Sequence, residues 1–392
     1  MLMKFSRKIL IFILTFLPIF LFLMLLKKNS SKTVTLNVYN WGDFMSLGGD
    51  SGENVNELFT QKTGIKINYT TFQSNEEMMA KIMGGGAEYD VIFTSDYCVP
   101  KLIYNDLLAE INFDNIPNYK LVSADLKNLE FNPDGKKYVA YSWGVLGIFY
   151  NKDYVKEKIT WDLLWNKKYK NKILMLDNPR DALAISLLRK KKSINSEKIE
   201  DWAEAAEDLQ NQKSLVSNYM SDQIFDKLIG EEDYIAPFYF GHRPQNDILK
   251  DSPNIKFDVP REGTNKFIDC ACILKSSKHK KEAEEYINFL CGDEISYINS
   301  KVTGYFPANQ NVAEKLIEKS EFLNSYDKNK FYVYKDLPAE ISKFTDNAWV
   351  NMKAGNQKFH LQNLVLILIF LFLTISYIAI LIAKIRKKSR SD

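Results

Sequence analysis

Cysteine and histidine are scarce in this chain of 392 residues, which holds four of the first and three of the second. Cys98, Cys270, Cys272 and Cys291 show no metal-ligand spacing with His242, His279 and His360, so the pattern calls for no metal. Nor does it indicate a disulfide. Cys270 and Cys272 would point the same way from one strand and read most simply as small buried residues. Catalytic templates are missing too. There is no Gly-x-Ser-x-Gly, no His-Glu-x-x-His and no Walker-type lysine loop, which argues against hydrolase, zinc-protease and nucleotidase chemistry. Gly84-Gly85-Gly86 lacks the Lys and Ser or Thr of a phosphate loop and reads as a helix-ending turn. No catalytic residue and no cofactor is assigned. A large charge of one sign is also lacking. The net charge is +3, and much of the basic excess sits at the termini, which argues against nucleic acid as a partner. The basic run Arg189 to Lys192 reads as a solvated helix end.

What is present is enough apolar residue, 46%, to bury a sizeable core, and over this length two lobes are expected. The termini are distinctive. Ile9 to Leu26 is an uncharged apolar run, with Lys4, Arg7 and Lys8 before it and Lys27 and Lys28 after it. Leu364 to Ala383 is a second run, followed by Lys384, Arg386, Lys387, Lys388 and Arg390. A helix of about 17 to 25 such residues spans the hydrocarbon core, and flanking basic residues stay on the cytoplasmic side. Both ends are therefore expected inside and everything between them outside. For the first run a cleaved signal peptide is the alternative, although no small-residue cleavage site follows Leu26 and no nearby cysteine offers a lipid attachment.

Between the runs, strand and helix alternate. Thr33 to Tyr39 predicts a strand, Val55 to Thr63 a helix ending at Gly64, and Ile65 to Tyr69 a strand. Asn75 to Met83 predicts a helix and Val91 to Thr94 a strand. Short apolar strands spaced by helices imply a parallel sheet covered on both faces, an α/β lobe whose ligands gather at the carboxyl ends of the strands.

At those ends aromatic and acidic residues recur. The loop after the first strand carries Trp41, Asp43 and Phe44, and the loop after the third carries Ser95, Asp96 and Tyr97. A third cluster, Asp177 to Asp181, follows the apolar stretch Ile173 to Leu176 and precedes a helical pattern from Ala182 to Arg189. In a fourth, alternation puts Phe267 and Asp269 on one face of a strand. Individually these residues could be core aromatics or helix caps. Together they suit an organic cation, which gains about 0.5 to 2 kcal/mol from each good ring contact and further from charge-assisted hydrogen bonds to carboxylates.

Tyr39-Asn40-Trp41, the run Lys62 to Ile67, Ser74 to Met78, Tyr89-Asp90-Val91 and Trp143-Gly144 resemble the spermidine/putrescine-binding proteins of bacterial ABC importers. So do Asp162-Leu163-Leu164-Trp165, Gly304-Tyr305 with Pro307 and Asn309, and Met352 to Gly355; the likeness covers Val34 to Gly355. The resemblance implies a type II periplasmic-binding-protein fold of two lobes closing on a polyamine, with ABC permease subunits and their ATPase as partners. One lobe would comprise 33–142 plus about 269–305, the other 143–268 plus about 306–356, flanked by the anchors 1–32 and 361–392. It also implies that Trp41, Asp43, Phe44, Ser95 and Tyr97 bind ligand from the first lobe, and that Asp181, Tyr239, Phe267, Asp269 and Tyr305 complete the site. Of Phe238, Tyr239 and Phe240, only one register would face the ligand. The chain departs from the family at several places: Asn178 stands where a carboxylate is usual, Asp43 where glutamate is common, Phe44 for tyrosine and Phe267 for tryptophan. A glycine-rich insertion, Ser46 to Glu53, lengthens one loop. A binder of another cationic solute, or a membrane-tethered sensor, are the alternatives to polyamine capture.

Overall fold

The computed structural model describes residues 34–42, 44–49, 52–85, 88–129, 134–220, 223–241, 252–318 and 330–354. Both long apolar runs lie outside these; among the described residues no helix is long and apolar enough to cross a membrane. The chain divides into two compact units, each discontinuous: 1–144, 241–246 and 268–324 form the first, and 145–240, 247–267 and 325–392 the second.

The strands are β1 (Thr35–Trp41), β2 (Lys66–Phe72), β3 (Val91–Ser95), β4 (Val139–Asn151), β5 (Ile173–Leu176) and β6 (Val216–Met220). They continue with β7 (Ile235–Phe240), β8 (Ile255–Asp258), β9 (Thr264–Ile273), β10 (Phe306–Pro307) and β11 (Phe331–Tyr332). In the first unit β1 lies parallel to β2, Thr35 opposite Lys66 through Trp41 opposite Phe72, and parallel to β3. The helices between them start and stop on local chemistry. Asn54 caps Val55–Thr63 by accepting from the amides of Asn56 and Glu57, and Gly64, at φ 78°, closes it with its N–H on the Thr60 carbonyl at 2.8 Å. Ser74 accepts from the Glu77 amide to open Asn75–Met83. Thus the expected βαβαβ run forms, with β1 reaching two residues further than its periodicity suggested. What local pattern does not reveal is that β9 joins β3 antiparallel, Val91 opposite Ile273 and Ser95 opposite Asp269. That reversal carries Asp269 to the edge where the parallel strands deliver Trp41 and Ser95.

Residues 306–318, which the resemblance implies in the second lobe, fall in the first unit. Phe306 pairs with Trp143 and stacks on its ring at 4.5 Å, and the Asn309 side chain donates to the Cys291 carbonyl and to Asp293. Tyr39, Phe59, Phe72, Phe93, Tyr286 and Phe306 fill this core. All four cysteines are free and buried, as small core residues.

In the second unit β4 runs antiparallel to β7, from Val145 opposite Phe240 to Tyr150 opposite Ile235, while β5 lies parallel to both β6 and β7. The carboxyl ends of β5 and β7 therefore share one edge. Trp161, Trp202, Phe149 and Tyr334 are buried in this core, and each indole N–H finds a carbonyl, Gly263 for Trp161 and Ser196 for Trp202.

Candidate functional site

On the first unit, Trp41 ends β1 with its ring 4.6 Å from that of Phe72 and 6.3 Å from that of Phe44, and Phe44 lies 5.1 Å from Tyr305. Phe44 is fixed through its backbone, because the Tyr141 hydroxyl donates to its carbonyl at 2.9 Å. Burial, with Tyr69 and Asp269 adding, pushes the Tyr141 phenol well up, so it stays a neutral donor. Asp269 is 2% exposed. Its Oδ1 accepts from the Ser95 hydroxyl at 3.0 Å, and Asn75 in turn donates from Nδ2 to Ser95 Oγ and to the Tyr97 hydroxyl, at 3.2 and 2.7 Å. The Trp41 indole N–H is enclosed and has no hydrogen-bond partner among the described residues. An enclosed donor of that kind is costly unless it is paired.

On the second unit, helix Pro179–Arg189 begins on Asn178, whose Oδ1 accepts from the amides of Arg180 and Asp181. This cap places Asp181 in the first turn, again only 2% exposed. Its Oδ2 accepts from the Tyr239 hydroxyl at 2.5 Å and its Oδ1 from Tyr334 at 2.7 Å and Asn265 Nδ2 at 3.4 Å. Burial is the largest influence on its carboxyl and raises the pKa, while these three bonds and the charge of Arg180 oppose the rise. Phe267 meets the Tyr239 ring edge-on at 5.2 Å, and Asn178 Nδ2 reaches the Tyr239 hydroxyl at 3.3 Å. Phe238 and Phe240 turn the other way, onto Phe225 and Phe257.

The structure thus gathers Trp41, Phe44 and Tyr305 into one aromatic group, Ser95, Tyr97 and Asp269 into one polar group, and Asp181, Tyr239 and Phe267 into a third; Asp43 lies outside the described residues. Four further residues were not singled out. Asn265 continues the alternation that pairs Phe267 with Asp269, and Asn75 lay within a quoted motif, so both left a trace. Tyr141 sits in a stretch with no flanking acid, whereas Tyr334 precedes Asp336 by two residues. The second and third groups each offer a buried carboxylate with neutral hydroxyls or amides on its oxygens, and the first offers flat rings. Among the described residues no cluster of metal-ligating side chains accompanies them.

Discontinuous α/β units with carboxylates and rings at strand ends are the build of solute-binding proteins. The chain belongs to the family of bacterial extracellular solute-binding proteins, which matches residues 86–332. Curated relatives include the putrescine-binding periplasmic protein SpuD of Pseudomonas aeruginosa, 26% identical over 82% of this chain and 92% of its own length. The spermidine/putrescine-binding periplasmic protein of Escherichia coli is 28% identical over 72% of this chain and 80% of its own. Among solved structures, the spermidine/putrescine ABC transporter substrate-binding protein PotD from Streptococcus pneumoniae superposes with a TM-score of 0.68 at 28% identity. That match covers 82% of this chain and 98% of PotD.

Proposed function

We propose that this chain is the extracytoplasmic binding component of an ABC importer for a polyamine, putrescine or spermidine, delivering it to permease subunits driven by their ATPase. The observation that carries the reading is the pair of carboxylates, Asp181 and Asp269, each 2% exposed, with Tyr239 donating to the first beside the Phe267 ring and Ser95 donating to the second. A buried carboxylate is favourable ground for an alkylammonium group, which adds charge-assisted hydrogen bonds while the rings cover methylenes. Trp41, Asp43, Phe44, Ser95, Tyr97 and Tyr305 on the first unit, and Tyr239 and Phe267 on the second, complete the proposed ligand set. The relatives' names support the same ligand class. The apolar runs Ile9 to Leu26 and Leu364 to Ala383 are proposed as membrane anchors, with both termini cytoplasmic.

Calorimetric titration of the segment 32–357 with putrescine and spermidine tests the reading. Saturable binding of either, with none of glutamate, supports it. Absence of binding by both would redirect the search to other cationic solutes. Membrane fractionation before and after alkaline carbonate washing tests the anchors, and release of the chain by the wash would remove them.

A further inference from the structure

The second unit has a cavity of about 750 Å³ that none of the proposed ligand groups lines. Four stretches of chain make its wall: Asp162, the end of helix Pro179–Arg189 with the loop to Asn195, the turn at Arg261 and Glu262, and the segment at Lys330 and Tyr332. Gly263, at φ 103°, lets them converge. A Cβ there would come within 2.7 Å of the Tyr332 ring and 2.8 Å of the Lys330 carbonyl.

The lining is strongly cationic, and the ion pairs separate structural charges from spare ones. Arg189 is bound to Asp162 at 2.7 Å and to Asp208 at 2.5 Å, and Lys192 to Asp201 and Glu204. Those two basic residues hold the unit together. Lys191, Arg261 and Lys330 are exposed and form no ion pair among the described residues; the Lys330 ammonium reaches only the Arg261 carbonyl, at 2.8 Å. Lys191 also occupies a left-handed position, φ 59°, just past the helix end, where glycine is the ordinary occupant and a lysine carries strain. The remaining acidic group, Glu262, has an Oε2 enclosed without a hydrogen-bond partner among the described residues. A simple anion would satisfy the three cations and leave that oxygen unmet. A peptide offers carboxylates for the cations and backbone N–H groups for Glu262.

We propose that this cavity is a docking site for an acidic segment of a partner protein, read by Lys191, Arg261 and Lys330. The site is independent of the solute groups and stands or falls apart from the polyamine reading. The test is fluorescence anisotropy of a labelled, acetylated peptide of alternating glutamate, aspartate and glycine, titrated with the full chain in detergent micelles. Saturable binding that weakens with added salt is expected, together with a loss of about tenfold or more in a K191E/R261E double variant. The Lys191→Gly variant keeps or raises the melting temperature while weakening the peptide severalfold, which separates docking from folding. Equal affinity for a peptide with glutamine and asparagine in place of the acids would overturn the proposal. So would binding unchanged in both variants, or displacement by inorganic phosphate at the peptide's own concentration.

Discussion

Replacing Asp181 with asparagine separates two effects that usually move together. The carboxylate is 2% exposed and its hydrogen bonds come from neutral donors, Tyr239 at 2.5 Å, Tyr334 at 2.7 Å and Asn265 at 3.4 Å. Burial raises its pKa in the folded state. With the folded value above the unfolded one, the native chain holds the proton over a pH range where the unfolded chain has lost it. Ionisation therefore costs stability as pH rises through that range. An asparagine keeps an acceptor for Tyr334 and turns its amide toward the Tyr239 hydroxyl, losing at most one hydrogen bond, about 1 kcal/mol, while removing the desolvated charge. The melting temperature at neutral pH is expected to hold or rise. Affinity for the polyamine is expected to fall steeply, because truncating one member of a buried charged pair costs about 2 to 5 kcal/mol, roughly 30- to 4,000-fold. The same linkage predicts that ligand uptake releases protons in mildly acidic buffer, since the arriving ammonium favours the ionised carboxylate. Differential scanning calorimetry, and titration in two buffers of unlike ionisation enthalpy, read both quantities. A variant that loses stability and affinity in proportion, or that binds within twofold of the parent, would refute the reasoning.

Other perturbations probe the first unit. Asp269→Asn should lower polyamine affinity by more than tenfold by the same argument, leaving Ser95 a neutral acceptor to donate to; calorimetry showing less than a twofold change would take Asp269 out of the site. Trp41→Ala removes the ring set among Phe44 and Phe72 and should cost about 0.5 to 2 kcal/mol of binding, measured by the same titration. The thiols should be inert in the native state, because burial pushes Cys98, Cys270 and Cys272 up and Cys291 to about 12. Iodoacetamide with mass spectrometry should label none until denaturant is added, and rapid native labelling would contradict the packing.

Legibility from sequence followed the range of the interactions. Local chemistry wrote the first strands and helices plainly: Asn54, Gly64 and Ser74 act within one turn of themselves, so their helices formed where expected. Period-two alternation put Phe267 and Asp269 on one face, and one more step of it reaches Asn265. Long-range pairing left no such mark. Nothing near Asp269 announces that β9 reverses against β3, and nothing near Phe306 announces its stack on Trp143, so 306–318 was expected in the other lobe. Tyr334 reaches Asp181 across 153 residues of chain, a partnership only the fold creates.

At the centre of the proposal is recognition of positive charge by the buried carboxylates Asp181 and Asp269. Titration with diaminobutane, aminobutanol and butanediol, alike in shape, tests it most directly. Affinity should fall in two large steps as each ammonium becomes a hydroxyl, and the first step should shrink in Asp181→Asn or Asp269→Asn. Comparable affinity for all three compounds would contradict the account.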